Sequence, residues 1–225
     1  LDVKFSLAKE NTMSKKLSVL LIVVLLLAVA SSALAGPVSS QLTADELARV
    51  KKGEIIVKNK IDENSEQGYG VAYGVMKGTK EQFWSVITDY GNYLDIYPRL
   101  EKVSLLKKQG NSVFTVEFNM DATLTTMTYT TESTISAGRD KMTWKLVENR
   151  PHKYMTKSDG WWQLEEIEPG VILAEYRVII GLDLGIFSGV ASKVVMAMSK
   201  DDLPDVVECT RKRMESGGAW KRPRK

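Results

Sequence analysis

Residues 77–108 read KGTKEQFWSVITDYGNYLDIYPRLEKVSLLKK, and the order of signals in this stretch decides the fold. Thr79-Lys80-Glu81-Gln82 is a capping box, in which Thr79 and Gln82 satisfy free backbone amides at a helix start. Phe83, Trp84, Val86, Ile87 and Tyr90 then recur at helical spacing, and Gly91 is expected to end that helix. Asn92 to Tyr97 reads as a second short helix stopped by Pro98, and Val103-Ser104-Leu105-Leu106 as a strand. The centre of the stretch, TDYGNYLDIYP (88–98), gathers Asp89, Asp95, Tyr90, Tyr93 and Tyr97, which raises the question of a metal or acid/base cluster. A carboxylate at a helix C-terminus opposes the helix dipole, so Asp89 is not there to stabilise the helix. The favoured role is structural, with Asp89 accepting backbone amides at the corner beside Gly91. A metal would need further ligands, and the sole histidine, His152, falls in the Asn-Arg-Pro-His turn. Tyr93, Tyr97 and Pro98 are spaced to hold the short helix against a sheet.

Downstream, Leu100 to Ile180 alternates with period two. The runs are 103–108, 112–120, 123–136, 141–147, 154–167 and 171–180, with turn residues such as Gln109-Gly110-Asn111 and Glu168-Pro169-Gly170 between them. Short connections between successive strands imply an antiparallel meander. Upstream, 43–50 reads as a short helix and 54–61 as a strand rich in β-branched residues. The stretch 68–77, GYGVAYGVMK, reads as a strand whose glycines suit a bend or bulge. After Gly185 the helical period returns over 188–200 and 202–214, with Pro204 between. The expected class is α+β with a helix-grip architecture: a curved antiparallel sheet wrapped around a long C-terminal helix, with two short helices after the first strands.

The segment 77–108 resembles the opening of the START-like (SRPBCC) superfamily, and more narrowly its branch of polyketide cyclases/dehydratases and coenzyme-Q-binding proteins. The carriers are the capped helix ending in Asp89-Tyr90, the step from Tyr93 to Pro98, and the strand that follows. IFSGVASKVVMAMSKDDLPDVVECTRKRM (186–214) is similar to the closing helix of that family, including Leu203-Pro204. The resemblance spans about 52–215 and implies a ligand cavity between sheet and helix.

The strand faces supply the candidates for that cavity. Phe114, Val116, Phe118 and Met120 share one face; so do Met127 and Tyr129; Met142, Trp144 and Leu146; Trp162 and Leu164; and Ile172, Ala174, Tyr176 and Val178. These sets are large, aromatic and methionine-rich, which suits a bulky apolar ligand. A filled core and a cavity both fit them. The candidate ligand-binding residues are Tyr97, Phe114, Phe118, Met127, Tyr129, Trp144, Trp162, Tyr176, Arg177 and Met196. Arg177 shares a face with Glu175, as in an exposed charge pair, and becomes a headgroup contact only if buried. Met196 belongs to the Val194–Met198 run, either a flexible lid or ordinary packing.

The leading expectation is a non-catalytic binder of a lipid, isoprenoid quinone or similar hydrophobic molecule. The alternatives are a cyclase/aromatase-type enzyme, with Tyr129, Tyr176 and Arg177 moving protons, and a cavity-less interaction module. One histidine and one cysteine build no nucleophile–histidine–acid set. No catalytic residue, cofactor, metal or nucleic-acid partner is assigned.

Residues 13–35 carry a targeting pattern. Met13-Ser-Lys-Lys, an apolar run from Leu17 to Ala30 and Ala33-Leu34-Ala35 make a cleavable signal peptide, too short in its apolar core for a span. The expected organisation is a leader at 1–12, a signal peptide at 13–35, a lead-in at 36–51, the helix-grip domain at 52–215 and a basic tail at 216–225. Export would make the protein periplasmic or secreted. The lone Cys209, within a helical pattern, is expected to be an inert thiol. The net charge is +3, with basic residues concentrated in RKRMESGGAWKRPRK (211–225). A solvated end and a peripheral contact with an anionic membrane both fit that tail.

Overall fold

A computed structural model describes residues 36–61, 67–122, 125–183 and 202–223. The chain divides into two compact units, Leu1–Gly36 and Pro37–Lys225; the described residues from Pro37 onward belong to the second. Its order is helix α1 (Ala44–Lys51), strands β1 (Ile56–Ile61) and β2 (Gln67–Lys77), helices α2 (Lys80–Ile87) and α3 (Tyr93–Ile96), strands β3 (Leu100–Gln109), β4 (Val113–Asp121), β5 (Thr126–Ile135), β6 (Lys141–Leu146), β7 (Met155–Glu168) and β8 (Val171–Leu182), and helix α4 (Leu203–Glu215).

The eight strands form one curved antiparallel sheet in the order β1-β2-β8-β7-β6-β5-β4-β3. Strands β3 to β8 are the expected meander, and β8 closes it against β2 along Gln67↔Gly181 to Lys77↔Val171. The two short helices therefore fill the crossover between β2 and β3, which lie far apart in the sheet. Capping boxes start α1 at Thr43/Glu46 and α2 at Thr79/Gln82, each with both reciprocal bonds made.

Two local expectations are corrected. The first is the bulge in the glycine-rich strand: β2 keeps unbroken register with both neighbours. Gly74 serves a close approach instead, since a Cβ there would stand 2.5 Å from Val207 Cγ1 on α4. The glycine lets the helix settle on the sheet. The second is the end of α2, which stops at Ile87 rather than Gly91. The Thr88 hydroxyl donates to Trp84 O at 2.7 Å, and the backbone then turns out of the helix at Asp89.

The main core lies between the concave face of the sheet and helices α2 and α4, where Phe83, Trp84, Ile87, Ile96, Trp162, Leu203 and Val207 are buried. The opposite face of β2 and β8 is also covered. Val38 and Val50, both fully buried, pack there with Val71, Tyr73 and Leu173. The lead-in is thus part of the packed body. The expected helix at 188–200, with Met196, lies outside the described residues.

Candidate functional site

Alternation puts every second residue of β4 to β8 on the concave face, and the start of α4 faces it with Leu203 and Val206. Between them is a cavity of about 110 Å³, smaller than the roughly 300–1,000 Å³ usual for small-molecule sites. Phe118 and Met120 line it from β4; Tyr129, Thr131 and Ser133 from β5; Met142 and Trp144 from β6; Ser158 and Trp162 from β7; and Tyr176, Val178 and Ile180 from β8. Tyr90, Tyr93, Tyr97, Pro98 and Arg99 close one side, and Asp202, Leu203 and Val206 another.

The aromatic rings brace one another. Tyr176 stacks on Trp162 (centroids 4.5 Å apart) and Trp144 (5.8 Å), and Tyr97 meets it edge-on at 6.3 Å. Phe118 stacks on Tyr129 at 5.3 Å. Gly160 makes room for this wall, because a Cβ there would come within 2.3 Å of the Trp144 ring and 2.2 Å of Arg177 O. Burial pushes the Tyr97 hydroxyl pKa up to about 12, and those of Tyr90, Tyr93, Tyr129 and Tyr176 also rise. At neutral pH these hydroxyls are neutral hydrogen-bonding groups. The charged part of the lining is Arg99, whose Nε stands 2.5 Å from Asp202 Oδ2, both partly exposed.

No protein-family model and no curated protein sequence matches the chain. Solved structures do resemble it. The Zhui aromatase/cyclase from Streptomyces sp. R1128 aligns with a TM-score of 0.55 at 16% identity, covering 68% of this chain and 99% of that one. A STAR-related lipid transfer protein from Xanthomonas axonopodis gives 0.59 at 13%, covering 72% and 93%. Human StAR-related lipid transfer protein 5 gives 0.56 at 10%, covering 92% and 98%. The chain has the START-like helix-grip fold. At these identities the likeness shows the fold alone.

Within the helix-grip frame, the expected site residues divide by position. Tyr97, Phe118, Tyr129, Trp144, Trp162 and Tyr176 line the cavity. Phe114 and Met127 are buried on the same face but outside the lining, Phe114 against Tyr90 and Met127 in a satellite cluster with Met155 and Leu182. Arg177 is placed elsewhere. Strand parity turns it to the other face of the sheet, where its Nε donates to Glu175 Oε1 at 2.7 Å and its guanidinium lies over Trp161 (4.4 Å) and Tyr69 (5.2 Å). Met196 lies outside the described residues. Tyr90, Thr131, Ser133 and Ser158 are lining residues that the apolar pattern passed over. Parity alone could have found three of them: Thr131 and Ser133 continue the face of Tyr129, and Ser158 shares that of Trp162.

The corner at 88–98 is locked from α4. Arg213 Nη2 donates to Asp89 Oδ2 at 3.0 Å, and its Nη1 to Asp95 Oδ2 at 3.3 Å and Trp220 O at 2.9 Å. Asn92 Nδ2 donates to Asp89 Oδ2 at 2.8 Å. The partners of Asp89 are thus side chains, not the backbone amides expected. The start of the basic tail is not a solvated end either: residues 216–223 fold back on α3 and α4. Arg222 Nη1 donates to Asp205 Oδ2 at 2.6 Å, and its Nη2 to Ile96 O at 3.1 Å and Cys209 Sγ at 3.0 Å. Burial pushes the Cys209 thiol up to about 12 despite that guanidinium, which leaves it a poor nucleophile.

Proposed function

We propose that this is an exported, non-catalytic binding protein that holds a hydrophobic molecule, such as a lipid or an isoprenoid quinone, between the sheet and the C-terminal helix. The observation that carries the reading is the cavity of about 110 Å³ between sheet and helix, walled by stacked aromatic rings. A fully filled core would leave no aromatic-lined cavity, which argues against the cavity-less module. Apolar burial would supply the affinity, at about 25 cal/mol per Å² before the costs of ordering. The fold is one used by proteins named for lipid transfer, which supports the same kind of ligand here. Export rests on the pattern at 13–35. Contact with an anionic membrane rests on the basic tail; Arg213 and Arg222 turn inward, while Lys221 is exposed.

Incubating the purified protein with a total lipid extract and analysing what co-elutes by mass spectrometry tests the reading. A hydrophobic molecule recovered reproducibly at about one per chain is expected; a reproducibly empty protein contradicts it.

The likeness to an aromatase/cyclase favours one second reading, a cyclase that shapes a reactive chain. Its three suspects separate in space: Tyr129 and Tyr176 face the cavity as neutral phenols, and Arg177 lies beyond the sheet. A bound molecule recovered chemically unchanged after prolonged incubation favours the binder; conversion to a cyclised product favours the enzyme.

A further inference from the structure

Two buried polar atoms of the cavity lining have no hydrogen-bond partner: the Trp162 indole Nε1 and the Tyr90 hydroxyl. Trp162 is 1% exposed and Tyr90 6%. Neighbouring hydroxyls approach within weak hydrogen-bonding reach, short of the geometry of a full bond. Ser133 and Tyr93 act on the ionisation of Tyr90, and Trp162 on that of Tyr97, yet neither orphan atom reaches bonding geometry with them. A buried donor left unpaired carries its full desolvation cost, so each marks a place where a ligand atom would gain most.

The chemistry of the two atoms restricts that ligand atom. An indole N–H only donates, so it calls for an acceptor. The acceptor must also be neutral. Among the described residues, Arg99 is the single Lys or Arg in the cavity lining, and Asp202 already holds it. The rest of the wall around Trp162 and Tyr90 is aromatic, aliphatic or hydroxylic. A carboxylate or phosphate carried to that depth would lose its hydration with no countercharge to replace it. A carbonyl oxygen loses far less and accepts one bond from Trp162, while the Tyr90 hydroxyl serves a second polar atom.

We infer that the cavity selects hydrophobic molecules bearing an uncharged carbonyl oxygen, which the Trp162 indole N–H receives inside the cavity with the Tyr90 hydroxyl as a second donor. The inference rests on the hydrophobic-ligand reading and names the ligand class within it. A ketone, a quinone and an ester share the required chemistry.

Competition against N-phenyl-1-naphthylamine, a neutral fluorescent probe, separates the two levels. Failure of the protein to take up the probe or any chain compound contradicts the hydrophobic-ligand reading itself. Where the probe binds, 2-hexadecanone is expected to displace it about tenfold better than hexadecane or hexadecanoate at neutral pH, the gain of roughly one buried hydrogen bond. Trp162→Phe is expected to remove most of that advantage, read as the ratio of ketone to alkane displacement so that a change in probe affinity cancels. Tyr90→Phe, which deletes one oxygen and keeps the ring, is expected to reduce it a few-fold; this variant decides the matter if Trp162→Phe fails to fold. Decylubiquinone and methyl hexadecanoate, as parallel arms, tell a quinone head from an ester. Equal displacement by ketone and alkane, a preference for the carboxylate, or a ketone advantage unchanged in the folded variants overturns the inference and leaves the broader reading standing.

Discussion

Arg213 reaches the corner from α4 and meets two carboxylates of unequal weight. Asp95 is as buried as the arginine, with side-chain exposures of 5% and 4%, whereas Asp89 is 39% exposed. Breaking a buried pair strands a charge, which costs about 3 kcal/mol or more; a pair open to water contributes little. Arg213→Ala is therefore expected to destabilise the protein by about 3 kcal/mol in urea denaturation, and Asp89→Asn by under about 1 kcal/mol. Equal losses from the two would contradict this division. The cavity tyrosines give a second prediction. Unfolded, they ionise near 10.0; folded, Tyr97 ionises at about 12 and the others are also raised. Between those values the unfolded chain has released more protons, so stability holds below pH 10 and falls as pH rises from 10 towards 12. Absorbance at 295 nm during alkaline titration is expected to show these phenols ionising together with unfolding. A full tyrosinate signal near pH 10 from a still-folded protein would refute it. Single residues were also where the sequence was least legible. Asp89 and Asp95 were visible as a cluster, but their partner lies more than a hundred positions away on α4. Arg177 differs: the alternation of its strand sets it opposite Tyr176, and the structure places it off the cavity face, against its expected role as a ligand contact.

Elements were far more legible, because period and punctuation are local properties. The Thr79 capping box follows from its residue types and all six strands of the meander from alternation and turn residues, with ends shifted by a few positions where the ladder hydrogen bonds, not the composition, decide where pairing stops. The glycines show the limit. Their presence in β2 was plain, but their purpose depended on a helix arriving from the far end of the chain. Gly160 is the sharper case, since two wall features share its empty space: the Trp144 ring and the Arg177 carbonyl. Gly160→Ala is expected to cost about 2 kcal/mol and to change the near-ultraviolet dichroism of the stacked rings; an unaffected protein would mean the wall tolerates displacement. The returning segment 216–223 is an element that charge counting hid, because basic residues near a terminus read as solvated until their partners are known. Arg222→Ala is expected to release residues 93–99, seen as faster amide hydrogen exchange there with β7 and β8 unchanged. No change at 93–99 would show that the segment does not hold the cavity rim.

At the scale of the whole molecule, the curved sheet, short helix pair and closing helix place an aromatic concave surface opposite α4, with the cavity between them. The cavity follows from that geometry, and the aromatic strand faces give it its character. The fold was legible because the order of elements leaves few ways to close such a sheet. The existence of the cavity was not, since the same apolar residues suit a filled core, and only their relative positions distinguish the two. The central claim is that this cavity holds one hydrophobic molecule. Native mass spectrometry of the protein after exposure to a total lipid extract, beside the cavity-filling variant Thr131→Trp, tests it most directly. One bound molecule on each wild-type chain and none on the folded variant is the predicted result; equal occupancy of the two, or none on either, would contradict it.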